Sequence, residues 1–388
     1  MKIVEIRAFE VDLTPKPSTV PRELSRAQRI QMNRPLSRYP QVAARGRASS
    51  VGSGARPACV AVAEDGTWGF GLSLYSGPVI SLIRDLYAPH LVGENCMATE
   101  KLWDVMVRLS PAFGAAGLAS YAISAVDCAL WDLKGKLLGR PVYELLGGPQ
   151  KERILCYASG FDQEWYMELG FKATKLFAPY GPEQGMEGLD RLEQLVATTR
   201  AQIGAHVELM LDAWTGWNVE YTVRAAERLR PYRLKWIEDY IRADDLVGYE
   251  TVRQRLPWQT LATGEHWYLP PAFAAAAGRR LVDIFQPDVL WCGGITAAVK
   301  ICHIAEANGI SVIPHGSMNY PYGQHLAMAM PAVVWGERSE GVSAPGVPLE
   351  EMVKLPGTAI VKDGYVALSD APGFGLEIDE DWLESVAV

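Results

Sequence analysis

Eight short apolar runs, spaced by helix-length stretches from residue 153 onward, predict an α/β fold: a TIM-type (β/α) barrel. An alternating N-terminal segment, a hairpin signal and a hairpin-like tail add an α+β N-terminal capping domain, completed by the C-terminal residues. The third observation is a carboxylate at the end of successive runs. The C-terminal strand ends of such a barrel all open onto one face.

The elements follow in order. Residues 1–13, MKIVEIRAFEVDL, alternate as a strand does and lack a signal-peptide core. Residues 14–56 are rich in Pro, Arg, Ser and Gly and carry little periodicity. A loop of that length is expected to be functional rather than an idle connector. ACVAVAEDG and TWGFGLSLY read as two strands joined by a Glu-Asp-Gly turn. Helical patterns follow around 78–92 and 98–109, then over 117–138, where Gly139 ends the run. Strand-like runs recur at 153–158, 172–177, 206–212, 233–238, 260–263, 282–286, 310–314 and 331–336. Helical segments such as 186–203, 218–230, 244–255, 271–279 and 295–308 separate them. The tail returns to alternation and is expected to pack on the N-terminal domain. The expected boundaries are 1–118 with 355–388 for the cap, and 119–354 for the barrel.

A chain of 388 residues has room for a barrel of about 250 residues and a companion. Its 49% hydrophobic content supports a large core. The net charge of -8, without a Lys/Arg-rich run, argues against nucleic acid as a partner. No apolar run reaches the roughly 20 residues a membrane span needs, so a cytoplasmic protein is expected. None of the six cysteines forms a C-x-x-C pair, which predicts buried free thiols.

The carboxylates carry the chemistry. Asp212 closes VELMLD, Glu238 closes LKWIE and Glu265 closes LATGE. Three hard oxygen donors on one face suit Mg²⁺. Their apolar surroundings make bare carboxylates costly unless a cation compensates them. Asp239 follows Glu238, and alternation points it the other way, toward a structural role. Asp288, in FQPD, and His315, in ISVIPH, end adjacent units. An Asp that accepts from one ring nitrogen raises the basicity of the other, which predicts a catalytic dyad. Glu337 at the eighth strand end is a further candidate, with Glu340 as its rival. Lys172 and Lys175 fall on opposite strand faces, and Lys175 is the better candidate to point inward beside a bound anion. Arg34, Arg38, Arg45 and Arg47 punctuate the long loop as solubilising groups or carboxylate ligands. Arg38, Arg45 and Arg47 are the candidate substrate contacts, together with Trp214 and His266. Trp214 belongs to a Trp-rich set that fits core or interface equally well.

The order Lys175, Asp212, Glu238, Glu265, Asp288, His315, Glu337 resembles the enolase superfamily, mandelate-racemase subgroup, over nearly the whole chain. RPLSRYP, GFGLS, CALWDLKGK, LKWIED, TGEH, QPDVLWCGG and PHGS resemble L-rhamnonate dehydratases more closely. The resemblance implies Mg²⁺ on Asp212, Glu238 and Glu265, a His315–Asp288 dyad, and Glu337 near the substrate. It also implies a homo-oligomer. Two departures matter. Racemase-type members carry a second lysine two residues after the first, where this chain has Phe177. Rhamnonate dehydratases carry a histidine in the N-terminal loop, and here none precedes His90. The resulting expectation is an acid-sugar (aldonate) dehydratase whose contacts to the distal end of the sugar differ from theirs. A cycloisomerase or epimerase on the same scaffold is the first rival. A non-catalytic metal-binding or structural protein is the second.

Overall fold

Alternating β-branched and polar residues form β1 (Ile3–Asp12), which pairs antiparallel with β2 (Ala55–Ala63). β2 pairs in turn with β3 (Trp68–Leu72) across the expected turn. The computed structural model describes residues 1–14, 33–43, 55–340, 342 and 345–388. Helix α1 (Leu118–Leu138) lies across β3 at backbone contact. A Cβ at Gly69 or Gly71 would stand 2.1 or 2.0 Å from helix carbonyl oxygens of Ala129 and Ala125. Only glycine permits that approach, so these two positions set how deeply the helix is seated.

The barrel strands are β4 (Ile154–Ser159), β5 (Ala173–Phe177), β6 (Glu208–Asp212), β7 (Ile237–Glu238), β8 (Leu261–Thr263), β9 (Ile284–Phe285), β10 (Ser311–Val312) and β11 (Gly336–Arg338). Neighbours pair in parallel in the order β10-β9-β8-β7-β6-β5-β4-β11. A parallel bridge between Val312 and Val333 closes the ring. The helices between strands are α2 (Gln163–Glu168), α3 (Gly185–Ile203), α4 (Val219–Leu229), α5 (Leu246–Arg255), α6 (Leu269–Gly278), α7 (Gly294–Ala307) and α8 (Pro321–Ala329). Asn218 and Asp245 cap α4 and α5 by accepting from Tyr221 and Gly248 backbone N–H groups.

Two strands differ from expectation. Arg233 has left-handed backbone (φ 51°), so regular pairing begins later than the run 233–238 suggests. The run 331–336 pairs with β10 only near Val333, and β11 starts at Gly336. Glu337 therefore lies inside a strand rather than after one.

The tail pairs first with the barrel and only then returns to the first sheet. β12 (Tyr365–Val366) pairs antiparallel with β4, and α9 (Glu380–Val386) follows. Trp382 meets Phe70 edge-on at 5.9 Å, and Val388 N–H donates to Glu10 O. All six cysteines are free and buried, as expected. Among the described residues no helix is long and apolar enough to cross a membrane.

Candidate active site at the barrel mouth

The interior of the barrel is built in two steps along each strand. Tyr157, Ala173, Met210, Trp236, Ala262, Ile284 and Ile313 form a buried cluster, with Trp335 packed against it. Each barrel strand, or the residue flanking it, supplies one member. Two residues further on, where side chains point inward again, stand Ser159, Lys175, Asp212, Glu238, Gly264, Gln286, His315 and Glu337. Apolar floor and polar site are thus consecutive inward positions of the same strands.

One strand breaks the rule. Gly264 has φ 139°, and a Cβ there would lie 2.9 Å from Gln286 N. The chain turns at this glycine and places Glu265, one residue later, in the site.

The Lys175 ammonium stands among carboxylates. It contacts Glu238 closely, Glu337 Oε1 at 2.8 Å and Asp212 Oδ2 at 3.4 Å. Lys175 is fully buried, yet these anions hold it protonated against the cost of burial. Lys172 is exposed, as its opposite face requires. Glu337 also accepts from Ser159 Oγ and from Gly316 N at 2.9 Å. It stays below the usual carboxylate range: Lys175 and His315 outweigh its burial. Glu340 is not in this cluster and pairs instead with Arg56.

His315 forms the expected pair. Its Nδ1 lies 2.8 Å from Asp288 Oδ2, and Asp288 Oδ1 accepts from Leu290 N at 2.7 Å. Nε2 lies 2.8 Å from Glu265 Oε2. Trp291 packs on the ring at 4.8 Å. Burial opposes the imidazolium, but Glu265 and Asp288 prevail and raise His315 well above its ordinary value. His266 lies 3.0 Å from Glu265 Oε1 and stacks on Trp291 at 5.8 Å.

Asp239 departs from expectation. Its left-handed backbone (φ 43°) ends the strand alternation. Its carboxylate accepts from Thr263 Oγ1 and gathers with Glu265 and His266, donor atoms within 4.8 Å of one another. In this arrangement Asp212 and Glu238 turn to Lys175, while Glu265 turns to the histidines.

Charge balance decides what the site suits. Among the described residues, six buried carboxylates (Asp212, Glu238, Asp239, Glu265, Asp288 and Glu337) share Lys175, His266 and His315 as their close cations, with Arg56 acting on Asp288 from further off. Burial pushes Asp212 to about 7 and Glu238 to about 8, with neighbouring anions adding to it and Lys175 opposing. Glu265 Oε1 has no aligned hydrogen-bond partner among the described residues. An all-oxygen donor set short of positive charge fits a hard divalent cation.

The N-terminal loop reaches this mouth. Asn33 N–H donates to Ala178 O, beyond β5, and its side chain donates to Gly216 O, beyond β6. Arg34 lies 5.1 Å over the ring of Trp214, which is half-buried next to Ala213. Arg38 is exposed at the end of a 3₁₀ turn, Pro35–Arg38. Arg45 and Arg47 lie outside the described residues. Ser159, Gln286 and Arg56 went unnoticed in the sequence. Strand periodicity, counted back from the acids, points to the first two.

Comparison with known proteins agrees over both parts of the chain. Residues 29–147 match the mandelate racemase / muconate lactonizing enzyme N-terminal domain, and 162–382 match the enolase C-terminal domain-like model. L-rhamnonate dehydratase of Saccharopolyspora erythraea is 35% identical over 350 residues, 89% of each chain. The crystal structure of L-rhamnonate dehydratase from Gibberella zeae superposes with a TM-score of 0.87 at 28% identity, covering 100% of this chain and 96% of that one. A structure of rhamnonate dehydratase from the same organism complexed with Mg gives 0.84 at the same identity and coverage. The chain belongs to the enolase superfamily, in its mandelate racemase subgroup, with L-rhamnonate dehydratases among its relatives.

Proposed function

We propose that this chain is a Mg²⁺-dependent acid-sugar dehydratase. It takes the C2 proton from a 2,3-dihydroxy carboxylate and expels the 3-hydroxyl, leaving a 2-keto-3-deoxy acid. The observation that carries this reading is the oriented dyad: Asp288 fixes His315 through Nδ1, and Nε2 faces the carboxylate ring. The relatedness to L-rhamnonate dehydratases supports the same chemistry.

Asp212, Glu238 and Glu265 would hold the ion, which supplies Lewis-acid stabilisation of the charge that develops at the substrate carboxylate. The remaining work falls to the chain's own side chains. Asp288 accepts from Nδ1 and so fixes the tautomer that leaves Nε2 as the base. Glu265, 2.8 Å away, favours a proton on Nε2; as an ion ligand it would no longer do so, and Nε2 would then take the C2 proton. Lys175, kept cationic by its three carboxylates, lies ready to donate to the enediolate oxygen. Glu337 steadies Lys175 on one side and the turn after His315 on the other.

On β5, Phe177 stands where a second base would be, packed 6.0 Å from Phe161. A phenyl ring moves no proton. His315 therefore returns the C2 proton to the departing 3-hydroxyl, which leaves as water from the same face. The enol then becomes the ketone. This asymmetry disfavours epimerisation, which needs a proton donor on each face.

The test is a panel of aldonic and aldaric acids with Mg²⁺, assayed for 2-keto acid. Turnover should vanish after exhaustive EDTA treatment and return with Mg²⁺. Asp212→Asn, Glu238→Gln and Glu265→Gln should each lose turnover and bind Mg²⁺ more weakly. Full activity in the chelated protein would overturn the reading.

A further inference from the structure

A cavity adjoins the dyad. Arg56, Trp291, Asn319 and Tyr320 line it together with Asp288 and His315. Arg56 comes from β2 of the N-terminal sheet, and the other residues come from the barrel. The cavity therefore lies in the seam between the two parts and opens on the proposed proton carrier.

Its wall is charged and asymmetric. Arg56 is only 2% exposed. Its Nη2 donates to both oxygens of Glu340, at 2.8 and 2.6 Å. Its Nε has no hydrogen-bond partner among the described residues. Tyr320 OH donates to Glu340 at 3.1 Å, and Lys354 Nζ at 3.0 Å. Buried Arg338 belongs to the same group: it donates to Met318 O at 2.6 Å, and its Nε also lacks a partner. Asp288 is within electrostatic reach of Arg56, but His315 and Leu290 N–H occupy its two oxygens, so it offers the guanidinium no hydrogen bond. Among the described residues, Arg56, Arg338 and Lys354 thus gather around Glu340, with Asp288 the other carboxylate lining the cavity. A buried donor left unpaired is destabilising, and excess buried charge more so. A simple tether between cap and barrel would need one cation and one anion.

We propose that this cavity receives a second anionic group at the far end of the substrate, so that the preferred acid sugar is a diacid, an aldaric acid. The inference rests on the dehydratase reading and names its substrate class. With the first carboxylate on the metal side of His315 and C2 at Nε2, the rest of the chain runs toward the seam. Arg56 Nε supplies the donor for the distal carboxylate, and Glu340, Tyr320 and Lys354 hold the guanidinium in place. A 6-deoxy sugar acid would set a methyl group against this charge. That agrees with the absence of a histidine before His90, the other sign that the distal end is read differently here.

The test compares six-carbon aldaric acids with the matching aldonic, 6-deoxyaldonic and 6-phosphoaldonic acids, all with Mg²⁺. An anionic end should raise kcat/KM by at least about tenfold, as expected for a charged hydrogen bond. The phosphorylated acid separates a carboxylate site from a general anion site. Equal or better turnover of the aldonic or 6-deoxy acids overturns the proposal. Arg56→Ala should collapse the ratio of diacid to monoacid, and Arg56→Lys should restore part of it. Equal losses on every substrate would mean a purely structural role and also overturn it. Calorimetry on the unaltered Mg²⁺ protein covers the case in which no acid sugar loses water and the dehydratase reading itself falls. Adipate should then bind more tightly than hexanoate, and equal binding would sink the cavity assignment as well.

Discussion

The ring of Tyr157, Met210, Trp236 and Ile313 and the ring of Ser159, Asp212, Glu238 and His315 occupy consecutive inward positions of the same strands, yet they do opposite things. The first is apolar and closes the barrel from below. The second gathers more buried negative charge than its cations balance. Each depends on the other. Low polarity beneath the site strengthens every electrostatic interaction within it. The floor also touches the site directly: Trp236 Nε1–H donates to Glu238 Oε2 at 2.8 Å. The contrast teaches that strand periodicity places both layers, while residue type alone decides which of them stabilises and which reacts.

Substitutions can break that division. The largest effect is expected at His315. His315→Asn should lower dehydration by about 10⁴-fold, the upper end for general acid–base catalysis. It should also remove exchange of the C2 proton with solvent deuterium. Unfolding stability should change far less than activity. Persistent exchange would point to another base, with Lys175 the first to test.

Trp236→Ala, on the floor, should do the reverse. Removing a fully buried indole should cost about 3–5 kcal/mol in denaturant unfolding. The metal-binding carboxylates above it should survive in whatever fraction stays folded. A variant with unchanged stability but no activity would show that the floor belongs to the chemistry. Asp288→Asn ranks third. It keeps the shape but loses the charge behind His315, and should cost about 10²-fold in kcat.

Strand-end acids were legible because alternation and β/α spacing are local signals. Asp212, Glu238, Asp288, His315 and Lys175 all fall where those signals put them. What was not legible came from backbone or from distance. The turn at Gly264 and the left-handed Asp239 depend on φ values that no hydrophobic pattern encodes. Ser159 pairs with Glu337 only because β11 closes the ring beside β4. Arg56 lies on the N-terminal sheet and Glu340 in the turn after β11, 284 positions apart in the chain. Only the packing of the cap on the barrel brings them together.

The smallest predicted effect compares two buried histidines. His315 is held charged by carboxylates on both ring nitrogens. His325, on α8, is 3% exposed and has no such partner among the described residues: its Nδ1 accepts from Tyr143 N at 3.2 Å, and Phe374 packs on the ring at 5.2 Å. Burial pushes His325 down to about 3. The unfolded chain takes up that proton near pH 6.5, whereas the folded chain resists it until about 3. Stability from this residue is therefore complete above pH 6.5 and falls as the pH drops toward 3. The slope should be about 1.4 kcal/mol per pH unit. His325→Gln keeps an acceptor for Tyr143 but cannot titrate, so its stability should fall less steeply between pH 6.5 and 4.5. Urea unfolding of both proteins across that range decides the matter. Parallel curves would mean that His325 takes up its proton in the folded state as readily as in the unfolded one, and that burial alone does not separate the two histidines.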